Sequence, residues 1–226
     1  MIDYRCTNFE KYNYSDVKQQ KDALGKEIDE KAISNIGLHY DKIKPKESKY
    51  YERFEEIYYH KCAYCGVNTA INPASLYEID HFFNELQTTF GSDDLSVDII
   101  DNLILSCRNC NQAKKEFEVN DIHNIIHPDN IEIKGVFNRG EHFEIEIANQ
   151  FCKNEEIQSF YKKMKFHYRF RKLDYLLLNL YFLKEKFPKY EKLFSKLLEF
   201  RNSTPSLKNI NSLEKQLFNF RKQVTT

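Results

Sequence analysis

The chain has 226 residues, 41% of them hydrophobic and 30% charged, with a formal net charge of zero. That length and apolar share suffice to bury a core, as one compact body of two or three substructures, and exclude a disordered tail. The longest wholly apolar runs, such as Tyr175–Leu178, fall far short of the roughly 20 residues a membrane span needs. The opening MIDYRCTNFEKYNY has no basic segment leading into an apolar one, so no secretory leader is expected and the default location is cytoplasmic.

Residues 16–36 place Val17, Leu24, Ile28, Ala32 and Ile36 close to helical spacing and predict a helix. Lys42–Lys46, with Pro45 inside it, reads as a connector, and Tyr50, Phe54, Ile57 and Tyr58 mark a second amphipathic helix running into a first cysteine pair. Leu76–Phe83 and Asn102–Cys107 are short, apolar and strand-like, and Asn111–Glu118 has a helical pattern, so the order is strand, loop, strand, helix. Residues 131–148 alternate around Asn138-Arg139-Gly140 and predict a further hairpin.

Beyond Asn154 the helical period dominates. Ile157, Phe160, Tyr161, Met164 and Tyr168 form one stripe, and Lys162, Lys165, Arg169 and Lys172 form another. Pro188 should separate this helix from one carrying Leu193, Phe194, Leu197 and Leu198, and Asn211 with Glu214 resembles the capping of a last helix. The zero net charge hides a division: residues 155–226 hold sixteen Lys and Arg against seven Asp and Glu, an excess of nine. Such polarity fits either a basic surface for a polyanion or a solvated helical face. On the first reading, Lys162, Lys165, Arg169 and Lys172 contact a nucleic-acid backbone while the interleaved aromatics stack on exposed bases.

Cys62, Cys65, Cys107 and Cys110 form two Cys-x-x-Cys pairs, whereas Cys6 and Cys152 stand alone and read as small apolar residues. Two such turns supply four convergent thiolates, the donor set of a closed structural zinc site with no open position for substrate. Chemistry must come from what lies between the pairs. Asp80 offers a hard oxygen ligand and His81 an imidazole suited to proton transfer, which together meet the needs of phosphodiester hydrolysis: a cation at the phosphate and a base for water.

The fragments CAYCG, EIDHF, NLILSC and CNQAK resemble the HNH endonucleases, over about residues 58–118. The resemblance implies an α+β fold: a zinc-stapled ββα-metal finger embedded in a mainly α-helical chain with a helical C-terminal region. It also implies His81 as general base, Asp80 and Asn111 as ligands of a catalytic Mg2+ or Mn2+, Asn102 as the residue fixing the loop backbone that positions the histidine, and Lys114 at the phosphate. Glu78, on the same strand face as Asp80, either supports the metal site or is an ordinary exposed strand residue. Where many relatives carry a Pro-Lys segment after Asp-His, this chain has Phe82-Phe83-Asn84-Glu85 and then an acidic loop with Asp93, Asp94, Asp98 and Asp101. Acidic loops repel DNA, so approach of a duplex would depend on another surface or protein.

The chain divides into an N-terminal helical region (1–57), the nuclease core (58–120), a hairpin-containing extension (121–154) and a basic helical region (155–226). The helical flanks, and a His-Pro segment after the finger, are similar to the HNH subunit of Septu-type antiphage systems, which implies DNA as substrate and an ATPase partner subunit, with RNA left open. A stand-alone restriction or homing nuclease shares the chemistry, and a non-catalytic zinc-stapled module that binds nucleic acid or protein accounts for the cysteines alone. The remaining histidines read as structural or surface residues.

Overall fold

The computed structural model describes residues 3–10, 12–31, 37–84, 96–115, 117–119 and 121–203. The elements are α1 (Val17–Glu30), α2 (Tyr40–Ile43), α3 (Lys49–Ile57), β1 (Tyr77–His81), β2 (Leu103–Cys107), α4 (Arg108–Lys114), α5 (His123–Ile126), α6 (Ile133–Val136), β3 (Phe137–Arg139), β4 (Ile145–Ile147), α7 (Glu155–Lys163), α8 (Arg169–Lys186) and α9 (Glu191–Ser203). The architecture is α+β: helices surround two separate two-stranded antiparallel sheets, β1–β2 and β3–β4.

The centre is the β1–β2 ribbon with α4. Tyr77 pairs with Cys107 and His81 with Leu103, so the ribbon brings the second cysteine pair beside the start of β1 and the Asp80-His81 end beside the start of β2. All five residues of β2 are buried, the burial of a strand covered on both faces. Helix α1 packs Val17, Leu24 and Ile28 inward, as the period requires, and its Gly25 lies against Ile100, where a Cβ would come within 2.9 Å of the isoleucine side chain. Ser48 caps α3 by accepting from the Tyr50 amide.

Several expectations are revised. The first helix ends at Glu30, and residues 32–36 lie outside the described residues. The connector expected at Lys42–Lys46 overlaps the short helix α2, whose start is held by the His39 and Tyr40 amides donating to the Asp98 carbonyl. In the extension, Ile133–Val136 is a helical turn that buries Ile133 and Val136, three residues apart on one face, so only the end of the alternating run enters the β3–β4 hairpin.

The long helix read from Ile157 through Lys172 is two helices. Between α7 and α8 the chain turns through Met164–Tyr168, with Lys165 at a φ of 54°. The turn is driven by apolar burial: Phe160, Met164 and Phe166 all enter the core, where Phe137 and Phe160 edge against Phe166 at centroid distances of 5.2 and 6.0 Å. Helix α8 is buried on most faces, with Leu173, Leu176, Leu177, Leu178 and Leu180 inside. Pro188 does separate α8 from α9, and the last helix expected at Asn211 lies outside the described residues. Cys6 is buried, whereas Cys152 is exposed and is no core residue. No helix among the described residues is long and apolar enough to cross a membrane.

Candidate active site and metal centre

The first cysteine pair sits in a tight knuckle after α3. The Cys62 amide donates to the Val67 carbonyl and the Gly66 amide to the Cys62 carbonyl, while the Ala63 amide donates to Leu105 and ties the knuckle to β2. Gly66, at a φ of 75°, is required twice over: the conformation is left-handed, and a Cβ there would collide with the Arg5 backbone, whose carbonyl oxygen would lie 2.4 Å away. Arg5 is buried against the same loop and donates to the Ala63 and Pro128 carbonyls at 2.9 and 2.7 Å.

The second pair spans the β2–α4 junction, Cys107 closing the strand and Cys110 lying in the first turn of the helix. All four thiols are buried, and their sulfurs lie within 4.8 Å of one another. The Cys65 and Cys107 sulfurs are 3.9 Å apart, close to the ~3.8 Å edge of a tetrahedron with Zn–S bonds of about 2.3 Å. In donor chemistry and spacing the four residues fit a structural zinc ion. A contact no motif announces completes the centre: the buried Arg171 of α8 donates through Nη2 to Cys110 Sγ at 3.1 Å and lies 4.0 Å from Cys107 Sγ through Nη1.

Strand alternation sends Asp80 and His81 to opposite faces of β1. Asp80 is 7% exposed; its Oδ2 accepts from the Tyr64 hydroxyl at 2.7 Å and its Oδ1 faces the Lys114 ammonium at 3.3 Å. Burial pushes the Asp80 carboxyl above its usual range, against the opposing pull of Lys114 and Tyr64. Lys114, expected at the phosphate, is 1% exposed and donates also to the His81 carbonyl at 2.6 Å, so its charge is used inside the protein.

Asn111 lies one helical turn before Lys114 and donates to Glu78 Oε2 at 2.6 Å. Helix α4 therefore lies across β1 in two rungs, Glu78 with Asn111 and Asp80 with Lys114. This seam is rich in carboxylate and amide oxygens, a donor set suited in kind to a hard divalent ion. A cation already stands at Asp80, the ammonium of Lys114 at 3.3 Å.

On the other face of β1, His81 Nε2 lies 2.9 Å from Asp98 Oδ1, and its ring packs on Tyr40 at a centroid distance of 4.4 Å. Asn102 is buried and spans the loop beyond β1: its Oδ1 accepts from the Phe83 amide at 2.8 Å, and its Nδ2 donates to the Phe83 and Val97 carbonyls at 3.0 and 2.8 Å. The Phe82 amide donates to the Asn102 carbonyl at 2.8 Å. The chain leaving His81 is thus held by one residue at three backbone points.

The basic stripe is dispersed by the turn between α7 and α8. Lys162, Lys165 and Arg169 are exposed around that turn, whereas Lys172 reaches Glu144 at 3.4 Å. Phe160 and Phe166 are buried in the core and cannot stack on bases; Tyr161 and Phe170 are half-buried, and Tyr168 is 47% exposed. Asp93 and Asp94 of the acidic loop lie outside the described residues, but Asp98 does not, and its pairing with His81 was hidden in the sequence among other acidic positions. Tyr64, between the first two cysteines, carried a readable signal, since a polar group placed where the motif demands burial needs a partner; Arg171, flanked by Arg169 and Lys172 in a basic run, carried none.

A search of curated proteins returned no significant match to the chain, and neither did a search of solved structures. Residues 62–117, which contain the first knuckle, the β1–β2 ribbon and α4, match the family model described as HNH endonuclease, and this quarter of the chain is an HNH endonuclease domain.

Proposed function

We propose that the protein is a metal-dependent endonuclease that hydrolyses phosphodiester bonds of DNA, with His81 as the general base. The observation that carries this reading is the placement of His81 at the end of β1, its ring held by Asp98 and Tyr40 and its following backbone held by Asn102, within the HNH-matched stretch. Cys62, Cys65, Cys107 and Cys110 would hold a structural zinc ion, which would brace the ribbon against α4. Asp80 and Asn111, on the β1–α4 seam, would hold a Mg2+ or Mn2+ ion, which supplies charge stabilisation at the phosphate when bound. Lys114, buried between Asp80 and the His81 carbonyl, would hold the Asp80 carboxylate and the end of β1 in place beside such an ion.

Lys162, Lys165 and Arg169, exposed around the α7–α8 turn, are the residues that would track the nucleic-acid backbone. An antiphage role beside an ATPase subunit is supported by the likeness of the finger and its flanks to Septu-type subunits, and by the division of the chain into an acidic body and a basic C-terminal third. Co-purification of an ATPase with the native protein tests that part of the proposal separately.

Purified protein with Mg2+ or Mn2+ should nick or cut DNA, alone or with its partner, and His81→Ala should abolish cutting while keeping its zinc. Robust cleavage by that variant removes His81 from its role. Changing Lys162, Lys165 and Arg169 to Ala should weaken DNA binding and flatten its salt dependence by about three charges; an unchanged salt slope assigns them to solvation.

A further inference from the structure

We infer that Asp98 is the positioning residue of the catalytic histidine: its carboxylate accepts the Nε2 proton of His81 and so holds the imidazole with its lone pair on Nδ1. The inference rests on His81 being the general base. Asp98 lies in a stretch whose acidity counts against DNA binding, so its place in the fold needs another reason. That reason is visible in how firmly it is held. Its carbonyl oxygen accepts from two successive amides, His39 at 3.0 Å and Tyr40 at 3.2 Å, and its own amide donates to the Ser96 hydroxyl at 3.2 Å. His39 is held in turn by accepting from the Ile100 amide through Nδ1 at 2.9 Å. The same dipeptide that grips Asp98 supplies the Tyr40 ring, which packs on His81 at a centroid distance of 4.4 Å with the planes tilted by 44°.

The imidazole is therefore fixed in two ways at the start of α2, through Asp98, which the His39 and Tyr40 amides hold, and through the Tyr40 ring, tilted by 44° against it. An ionised carboxylate only accepts hydrogen bonds, so at a separation of 2.9 Å the shared proton resides on Nε2 in the neutral ring. A hydrogen bond at one ring nitrogen sets the tautomer and the basicity of the other. In the step this prepares, the water oxygen bonds to phosphorus while its proton passes to Nδ1. The bond to the 3′-oxygen breaks with its electron pair on that oxygen, which takes a proton from solvent water. The positive charge formed on His81 then lies against the negative charge of Asp98.

The test uses the full chain loaded with zinc, in three forms: wild type, Asp98→Asn and Asp98→Glu. Nitrogen-15 spectra of the histidines should show the neutral His81 ring protonated on Nε2 in wild type, with the Nε2 proton signal displaced in Asp98→Asn. In DNA cleavage, Asp98→Asn should lower kcat on the order of a hundredfold, leave KM for DNA within about twofold and be partly rescued by Asp98→Glu, with zinc content and helix signal unchanged in both. A neutral ring protonated on Nδ1, or Asp98→Asn cleaving at the wild-type kcat, overturns the inference. If wild type and every variant fail to cut DNA, the nuclease reading fails, and the tautomer of His81 still decides whether Asp98 orients it.

Discussion

Replacing Arg171 with Met removes a guanidinium while keeping a long flexible stem in the seam between α8 and the cysteine centre. In the wild type, Arg171 Nη2 lies 3.1 Å from Cys110 Sγ and 3.3 Å from the Met164 carbonyl oxygen, and Nη1 lies 4.0 Å from Cys107 Sγ. Four thiolates around a divalent zinc ion carry a net double negative charge, and Arg171 brings one positive charge to within hydrogen-bond reach of it. Loss of a partner that contacts metal ligands typically costs ten- to hundredfold in metal affinity, or about 1.4–2.7 kcal/mol at 1.36 kcal/mol per decade. The expected result for Arg171→Met is a loss of zinc affinity in that range, read by competition with a chromogenic chelator under reducing conditions at fixed pH. Arg171→Lys, which keeps the charge but loses the fork geometry, should fall between the two. Circular dichroism separates this effect from unfolding of α8. If Arg171→Met holds zinc within about twofold of wild type, some 0.4 kcal/mol, while its helix content is unchanged, the guanidinium contributes nothing to the centre and the argument from charge is wrong.

Two further outcomes concern the buried network behind β2. Lys21 Nζ is 2.5 Å from Asp129 Oδ2, with both side chains 1% exposed, and donates also to the Asp101 and Leu103 carbonyls on either side of Asn102. Lys21→Met leaves Asp129 buried without its cation and should cost about 3–5 kcal/mol in urea unfolding at neutral pH; an unmoved midpoint refutes the pairing. Burial pushes the His127 imidazole down to about 4, against partial support from Asp129, whereas an unfolded histidine titrates near 6.5. The folded state thus keeps a neutral ring that the unfolded chain protonates first, so stability is full above about pH 6.5 and drains as pH falls from there toward about 4, by at most ~3 kcal/mol. His127→Gln should flatten that dependence in unfolding experiments at several pH values, and an unchanged slope refutes the assignment.

The chain's own order of residues determined the metal centre and the ribbon. Two Cys-x-x-Cys turns, a short apolar strand ending in Asp80-His81 and a second strand running into Cys107 are local patterns, since a knuckle closes over a few residues and strand burial is written in adjacent positions. The helical identity of α1, α3, α8 and α9 was legible for the same reason. Tertiary structure decided what those side chains touch. The Lys114 ammonium turned inward because the nearest buried anion is Asp80, a preference that arises only once α4 lies across β1. The helix expected from Ile157 to Lys172 broke because burying Phe160 and Phe166 together outweighs continuing its hydrogen bonds through Lys165. Asp98 and Arg171 reach His81 and Cys110 across 17 and 61 positions; such pairings leave no period in the sequence, because a charge finds its partner by proximity in space, which only packing supplies.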